Sequence, residues 1–115
     1  MGRVAVIVPL RSGVSDEVSE LLQDGPPVHV ERLARFQGFV TPGEAILYFE
    51  GPAVTAEDPV WRNLAAWRAG DRWKRSAAGP ARVAESAGSW ERAPDMEGFF
   101  FGPLPGPGNS EGSIP

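Results

Sequence analysis

Segments 3–10 and 44–50 of this chain, Arg-Val-Ala-Val-Ile-Val-Pro-Leu and Glu-Ala-Ile-Leu-Tyr-Phe-Glu, are apolar on both of their alternating faces. Successive side chains of a strand point to opposite sides of a sheet. A segment that is apolar on both sides therefore needs cover on both. The constraint is severe in a chain of 115 residues, where the usual ~100–200 residues per domain leaves room for one modest core.

The intervening segments supply helices. Ser15, followed by Asp16 and Glu17, places acidic groups at the start of a helix, where its dipole is positive. Val14, Val18, Leu21 and Leu22 recur at helical spacing until Gly25-Pro26-Pro27 ends the element. Residues 28–34 stay ambiguous. Segments 33–40 and 44–50 predict two strands around Thr41-Pro42-Gly43, which suits a type II turn or a slightly longer hairpin loop. Asp58-Pro59 opens a second helix, expected over 59–69, with Val60, Trp61, Leu64 and Trp67 as its apolar stripe. A last strand is expected over 81–90.

The order β-α-β-β-α-β is that of the split-βαβ or ferredoxin-like motif, an α+β fold. Its helices normally lie on one face of the sheet and leave the other bare. A bare apolar sheet face marks an association surface. The expected solution is a two-fold homodimer in which two such sheets pack face to face.

Residues 94–115 read differently. They hold five Pro and five Gly, which exclude a helix or a central strand. They also carry Asp95, Glu97 and Glu111 and no basic residue, leaving 11 basic against 12 acidic residues in the first 93. The division is thus a folded domain over 1–93 and a Pro/Gly-rich acidic extension over 94–115. Within the extension, Phe99-Phe100-Phe101 is expected to dock on a folded surface, with Trp73 as its first contact.

Composition excludes several classes. The formal net charge is −4 and no basic stripe is present, against a nucleic-acid binder. No apolar run approaches the ~20 residues of a spanning helix, and no secretory signal is evident. These features predict a cytoplasmic protein without a membrane partner. The chain has no cysteine, hence no disulfide or thiolate site. No His, Asp and Glu cluster at metal-ligand spacing, and no P-loop or dinucleotide fingerprint occurs, so neither metal nor cofactor is expected.

The phrases Phe49-Glu50-Gly51-Pro52, Asp58-Pro59-Val60-Trp61-Arg62-Asn63-Leu64-Ala65-Ala66-Trp67-Arg68, and residues 79–92 from Gly79-Pro80 to Trp90-Glu91-Arg92 resemble a small, uncharacterised bacterial branch of the dimeric α/β-barrel superfamily. The resemblance covers roughly residues 3–92. It implies a ferredoxin-like sandwich paired into a barrel, with ligands held between sheet and helices. The superfamily includes cofactor-free monooxygenases of polyketide-like aromatics, haem enzymes, muconolactone isomerase-like and polyketide cyclase-related proteins, and stress proteins. No catalytic signature matches residue by residue, and none is carried over.

Five residues are candidates for lining such a pocket: His29, Arg35, Tyr48, Trp61 and Trp67. His29, the one imidazole of the chain, has the chemistry of a general base or haem ligand, but its setting after Pro26-Pro27 reads first as a plain loop histidine. Tyr48, the one tyrosine, offers a polar handle, and Arg35 lies on the neighbouring strand of the hairpin. Both are expected to point to the helix side. At about 100° per residue Trp61 and Trp67 flank the core direction set by Val60 and Leu64, whereas Trp73 falls away from it. Packing alone accounts for Trp61 and Trp67; an aromatic pocket is the sharper alternative. Arg62, Arg68, Arg72, Lys74 and Arg75 read as a solvated, cationic helix end.

These features give two expectations for function. One is a small-molecule-binding protein or cofactor-independent enzyme, monooxygenase- or cyclase-like, acting on an apolar aromatic ligand. The other is a non-catalytic dimeric structural or interaction module whose tail binds a partner.

Overall fold

The computed structural model describes residues 1–88 and Trp90. The expectations for residues 94–115, including the docking of Phe99-Phe100-Phe101, lie outside them.

Four strands form one antiparallel sheet: β1 (Gly2–Pro9), β2 (Arg35–Val40), β3 (Glu44–Gly51) and β4 (Arg82–Glu85), ordered β2-β3-β1-β4. Helix α1 (Ser15–Gln23) follows β1, and helix α2 (Gly70–Ser76) precedes β4. This α+β architecture is compatible with a ferredoxin-like fold. The two segments that are apolar on both faces, β1 and β3, are the central strands, paired Val4 to Phe49, Val6 to Leu47 and Val8 to Ala45.

Val4, Val6, Val8, Ala45, Leu47 and Phe49 are buried and share one cluster with Val18 and Leu21 of α1 and with Trp61, Trp67 and Trp73. All helical elements therefore cover the same sheet face. The other face remains open, and Ala5, Ile7, Ile46 and Tyr48 on it are only partly buried.

Local chemistry explains the boundaries. Asp24 caps the end of α1 with a right-handed backbone, and Gly25 follows at φ 103°, a left-handed position that costs glycine little. Ser15 is the first residue of α1 rather than its cap; its hydroxyl donates to the Thr41 carbonyl at 3.3 Å, tying the helix start to the hairpin. That hairpin turns through Pro42-Gly43 without the positive φ a type II turn requires at Gly43. Instead the Thr41 hydroxyl oxygen accepts from the backbone N–H groups of Gly43 and Glu44, at 3.3 and 2.9 Å.

The expected helix over 59–69 does not form as one element. Asp58 accepts from the Val60 N–H at 3.0 Å, and Pro59 opens a short 3₁₀ turn as its cap predicts. The turn ends at Arg62, a second spans Leu64–Ala66, and α2 begins only at Gly70. Tryptophan packing accounts for the break. In a single helix three tryptophans spaced six apart cannot share a side, yet here Trp61, Trp67 and Trp73 are 1%, 4% and 1% exposed. The Val60 carbonyl accepts from the Asn63 N–H and from the Trp67 indole N–H at 2.8 Å, bonds that replace a continuing α-helical ladder. Ala69, at φ 58°, then turns the chain into α2 and swings Trp73 inward, edge-on to Trp67 at 5.2 Å between ring centroids. Trp73 is thus a core residue, although a helical wheel leaves it without a core to face.

The cationic segment is likewise structural in part. The Arg68 guanidinium donates to the Gly25 and Pro26 carbonyls at 2.8 and 3.2 Å, satisfying acceptors just beyond α1. Arg72 pairs with Glu17 of α1 at 3.0 Å.

Candidate functional site

On the open face the strand register lines side chains into cross-strand rows. One row runs Arg35–Glu50–Arg3, the next Gln37–Tyr48–Ala5–Ala84, and the third Phe39–Ile46–Ile7–Arg82. The face is charged at one end and apolar in the middle. Glu44 and Arg82 close the far end with an ion pair at 3.1 Å.

At the charged end a cleft of about 320 Å³ opens between Arg3, Arg35, Tyr48 and Glu50 on the sheet and Ser86 and Trp90 beyond β4. A neighbouring hollow of about 220 Å³ shares Arg3, Tyr48 and Ser86 and continues over Ala5 and Ala84. Trp90 is 83% exposed beside it. The Tyr48 hydroxyl donates to Glu50 Oε1 at 2.7 Å, and Arg3 Nε stands 3.8 Å from Glu50 Oε2. The hydrogen bond to Glu50, partial burial and the Glu50 charge all push the Tyr48 phenol above its ordinary value, with Arg3 and Arg35 opposing. The phenol therefore keeps its proton at neutral pH and directs it at Glu50. Arg35 is opposite Glu50 in the register, yet its guanidinium takes no hydrogen bond or ion pair among the described residues.

The sequence-derived candidates separate across the sheet. Arg35 and Tyr48 meet in this cleft, but on the open face rather than on the helix side. Trp61 and Trp67 lie on the opposite face, buried, with their indole N–H groups donated to the carbonyls of Thr55 at 2.6 Å and Val60 at 2.8 Å. Trp61 stacks at a tilt on Phe49, 4.7 Å between centroids, and Phe49 on Phe36 at 5.1 Å. The helix side is thus packed where the ligand pocket was expected. What opens there is a shallow groove of about 380 Å³ at the sheet edge, between Ser19, Leu22 and Gln23 of α1 and Phe36, Gly38 and Val40 of β2. His29 is exposed in the α1–β2 connection and lines none of these clefts.

Arg3, Glu50, Ser86 and Trp90 escaped the reading of the sequence. Arg3 and Glu50 carried a usable signal, since each shares the strand parity of Ala5 or Tyr48. Among the described residues no three His, Asp or Glu side chains gather as a metal ion would require. No described helix is long and apolar enough to cross a membrane.

In comparisons with family models, curated proteins and solved structures, the chain finds no match.

Proposed function

We propose that this protein binds a small aromatic molecule in the cleft at the Arg3–Arg35 end of its open sheet face, and that it does so as a homodimer of the α/β-barrel type. The observation that carries the binding reading is Trp90, a large apolar ring left 83% exposed beside a cleft whose other walls are polar. A few convergent polar groups beside an aromatic surface are the usual makings of a ligand site.

Pairing of two open faces is supported by Ala5, Ile7, Phe39, Ile46 and Ala84, which make the middle of the face apolar, Phe39 being 51% exposed. Strands of eight, six, eight and four residues, at ~3.3 Å per residue and ~4.8 Å apart, present about 400 Å² in projection, and more as accessible surface. That is about half of the roughly 800 Å² per partner of a standard interface, so side-chain relief and the segments flanking the sheet must supply the rest. A second copy over the middle of the face leaves the cleft at the rim, roofed on one side.

A second reading, a cofactor-independent enzyme, rests on the Tyr48–Glu50 hydrogen bond inside the cleft. A hydroxyl donor held against a carboxylate is an acid–base couple within reach of a bound ligand.

Sedimentation at micromolar concentration tests the assembly: the chain should run as a dimer, and Phe39→Asp should shift it to a monomer that still unfolds cooperatively, at a lower melting temperature that no longer depends on concentration. A wild-type monomer at those concentrations overturns it. For the site, the indole N–H resonance of Trp90, identified by its loss in Trp90→Ala, should shift saturably with naphthalene-sized aromatic probes. Silence with every probe overturns the binding reading in favour of a non-catalytic module.

A further inference from the structure

We propose that the ligand class of this cleft is a small planar aromatic acid, its carboxylate held by Arg35 and its ring laid against Trp90. The inference rests on the binding reading above and narrows it.

The charges of the cleft divide unequally. Glu50 is engaged on both oxygens, by the Tyr48 hydroxyl at 2.7 Å and by Arg3 at 3.8 Å. That engagement leaves Arg35 as the cation without a carboxylate of its own among the described residues. A guanidinium presents a planar fork of N–H donors that matches a carboxylate with two parallel hydrogen bonds. It is also weakly hydrated, so a monoanion can displace its water at small cost.

The neighbours select against a more highly charged anion. Glu50 stands in the same cross-strand row and repels a dianion about twice as strongly as a monoanion. Tyr48 spends its hydroxyl proton on Glu50 and has none to offer. Of the two guanidinium groups in the cleft, Arg3 stands beside Glu50, so an added anion meets chiefly Arg35, which matches one carboxylate better than a phosphate dianion.

Trp90 supplies the other half of the recognition. Its indole is the largest apolar surface at the cleft, and ring against ring in offset or edge contact is the arrangement two aromatic systems prefer. A volume of about 320 Å³ is at the small end of ligand sites, room for one or two fused rings and an acid group.

The test uses the full chain and three probes of one shape: 1-naphthoate, 1-naphthalenemethanol and 1-naphthyl phosphate. Binding is read from the Trp90 indole N–H resonance. The naphthoate should saturate with a Kd on the order of 1 mM or tighter, given an open site and a ligand of this size. The neutral alcohol should bind at least about tenfold more weakly, and Arg35→Gln should bring the naphthoate down to the level of the alcohol. Arg35→Lys, which keeps the charge and loses the fork, should recover only part of the difference. Arg35 is exposed on an edge strand, so both variants should melt with the wild type.

Equal binding of acid and alcohol, or an Arg35→Gln variant that binds naphthoate unchanged, overturns the acid assignment while the aromatic site stands. Tighter binding of the phosphate ester overturns it in favour of a phosphate site. No response to any probe removes both the acid assignment and the binding reading beneath it.

Discussion

Replacing Gly70 by Ala should destabilise this protein, although the same change in an ordinary helix stabilises it. Gly70 is the first residue of α2, and it is not in a left-handed conformation. Helix propensity alone favours Ala over Gly by up to ~1 kcal/mol, and by less in the first turn. The tertiary structure opposes this. A methyl at Gly70 would stand 2.5 Å from the Ala65 carbonyl oxygen and 2.7 Å from that of Leu64, where ordinary contact begins at 3.4 Å. The obstacle is backbone, which cannot rotate aside as a side chain does, so the Leu64–Ala66 turn and α2 must separate by most of an ångström. That separation strains the Trp67–Trp73 contact that spans the same junction. Overpacking of this kind costs about 1–3 kcal/mol, so a net loss of about 1–2 kcal/mol is expected. At ~4–8 °C per kcal/mol for a domain this size, the melting temperature should fall by roughly 5–15 °C. Thermal and urea unfolding followed by circular dichroism reads the effect, with an unchanged urea slope showing that the native state alone has shifted. Gly43→Ala is the control: its methyl meets nothing within 4 Å and its φ is not left-handed, so it should be neutral or slightly stabilising. A Gly70→Ala protein that melts at or above the wild type would refute the close approach of the two turns.

Two further outcomes can be checked directly. Tyr48 is the one tyrosine of the chain, so the ultraviolet absorbance of phenolate reports it alone; ionisation should occur above its ordinary value of 10.0 and fall back toward it in Glu50→Gln. Because the folded value is raised, the stability this pair contributes is present below the unfolded value and lost as pH rises through the folded one. His29→Ala should cost no more than about 1 kcal/mol in urea unfolding, since the imidazole is exposed in a connecting loop, and a larger loss would reveal a role that its position does not show.

Much of the architecture was legible because it depends on local periodicity. The apolar alternation of β1 and β3, the Gly25 stop and the Asp58-Pro59 start are short-range signals, and all appear where the sequence places them. The tryptophan segment was not legible. A helical wheel assumes one continuous helix, and it strands Trp73 on the wrong side. The chain instead breaks into two 3₁₀ turns and a helix so that three indoles reach one core, and burying each is worth several kcal/mol, roughly 25 cal/mol for every Å² of a ~150–250 Å² surface. That gain exceeds what a regular helix of the same length supplies in water.

The cleft divides the same way. A two-residue hairpin turn at Pro42-Gly43 sets Arg35 opposite Glu50 and Gln37 opposite Tyr48, so half of the charged row follows from the sequence once the turn is known. The side to which that row points does not. Tyr48 alternates with Leu47 and Phe49, and all three are aromatic or aliphatic enough to face a core, so parity alone leaves the covered face undecided. The choice is made by α1 and the tryptophans, which fit over Val4, Val6, Val8, Leu47 and Phe49 and leave Tyr48 with Arg3, Arg35 and Glu50 on the open side. Arg3 joins them only because β1 lies beside β3, a pairing between residues more than forty positions apart. The sequence by itself thus determined which segments become strands and where α1 begins and stops, through energies felt over a few residues. Only the tertiary structure decided which sheet face was filled and which charges met on the other, because those depend on packing the whole core at once.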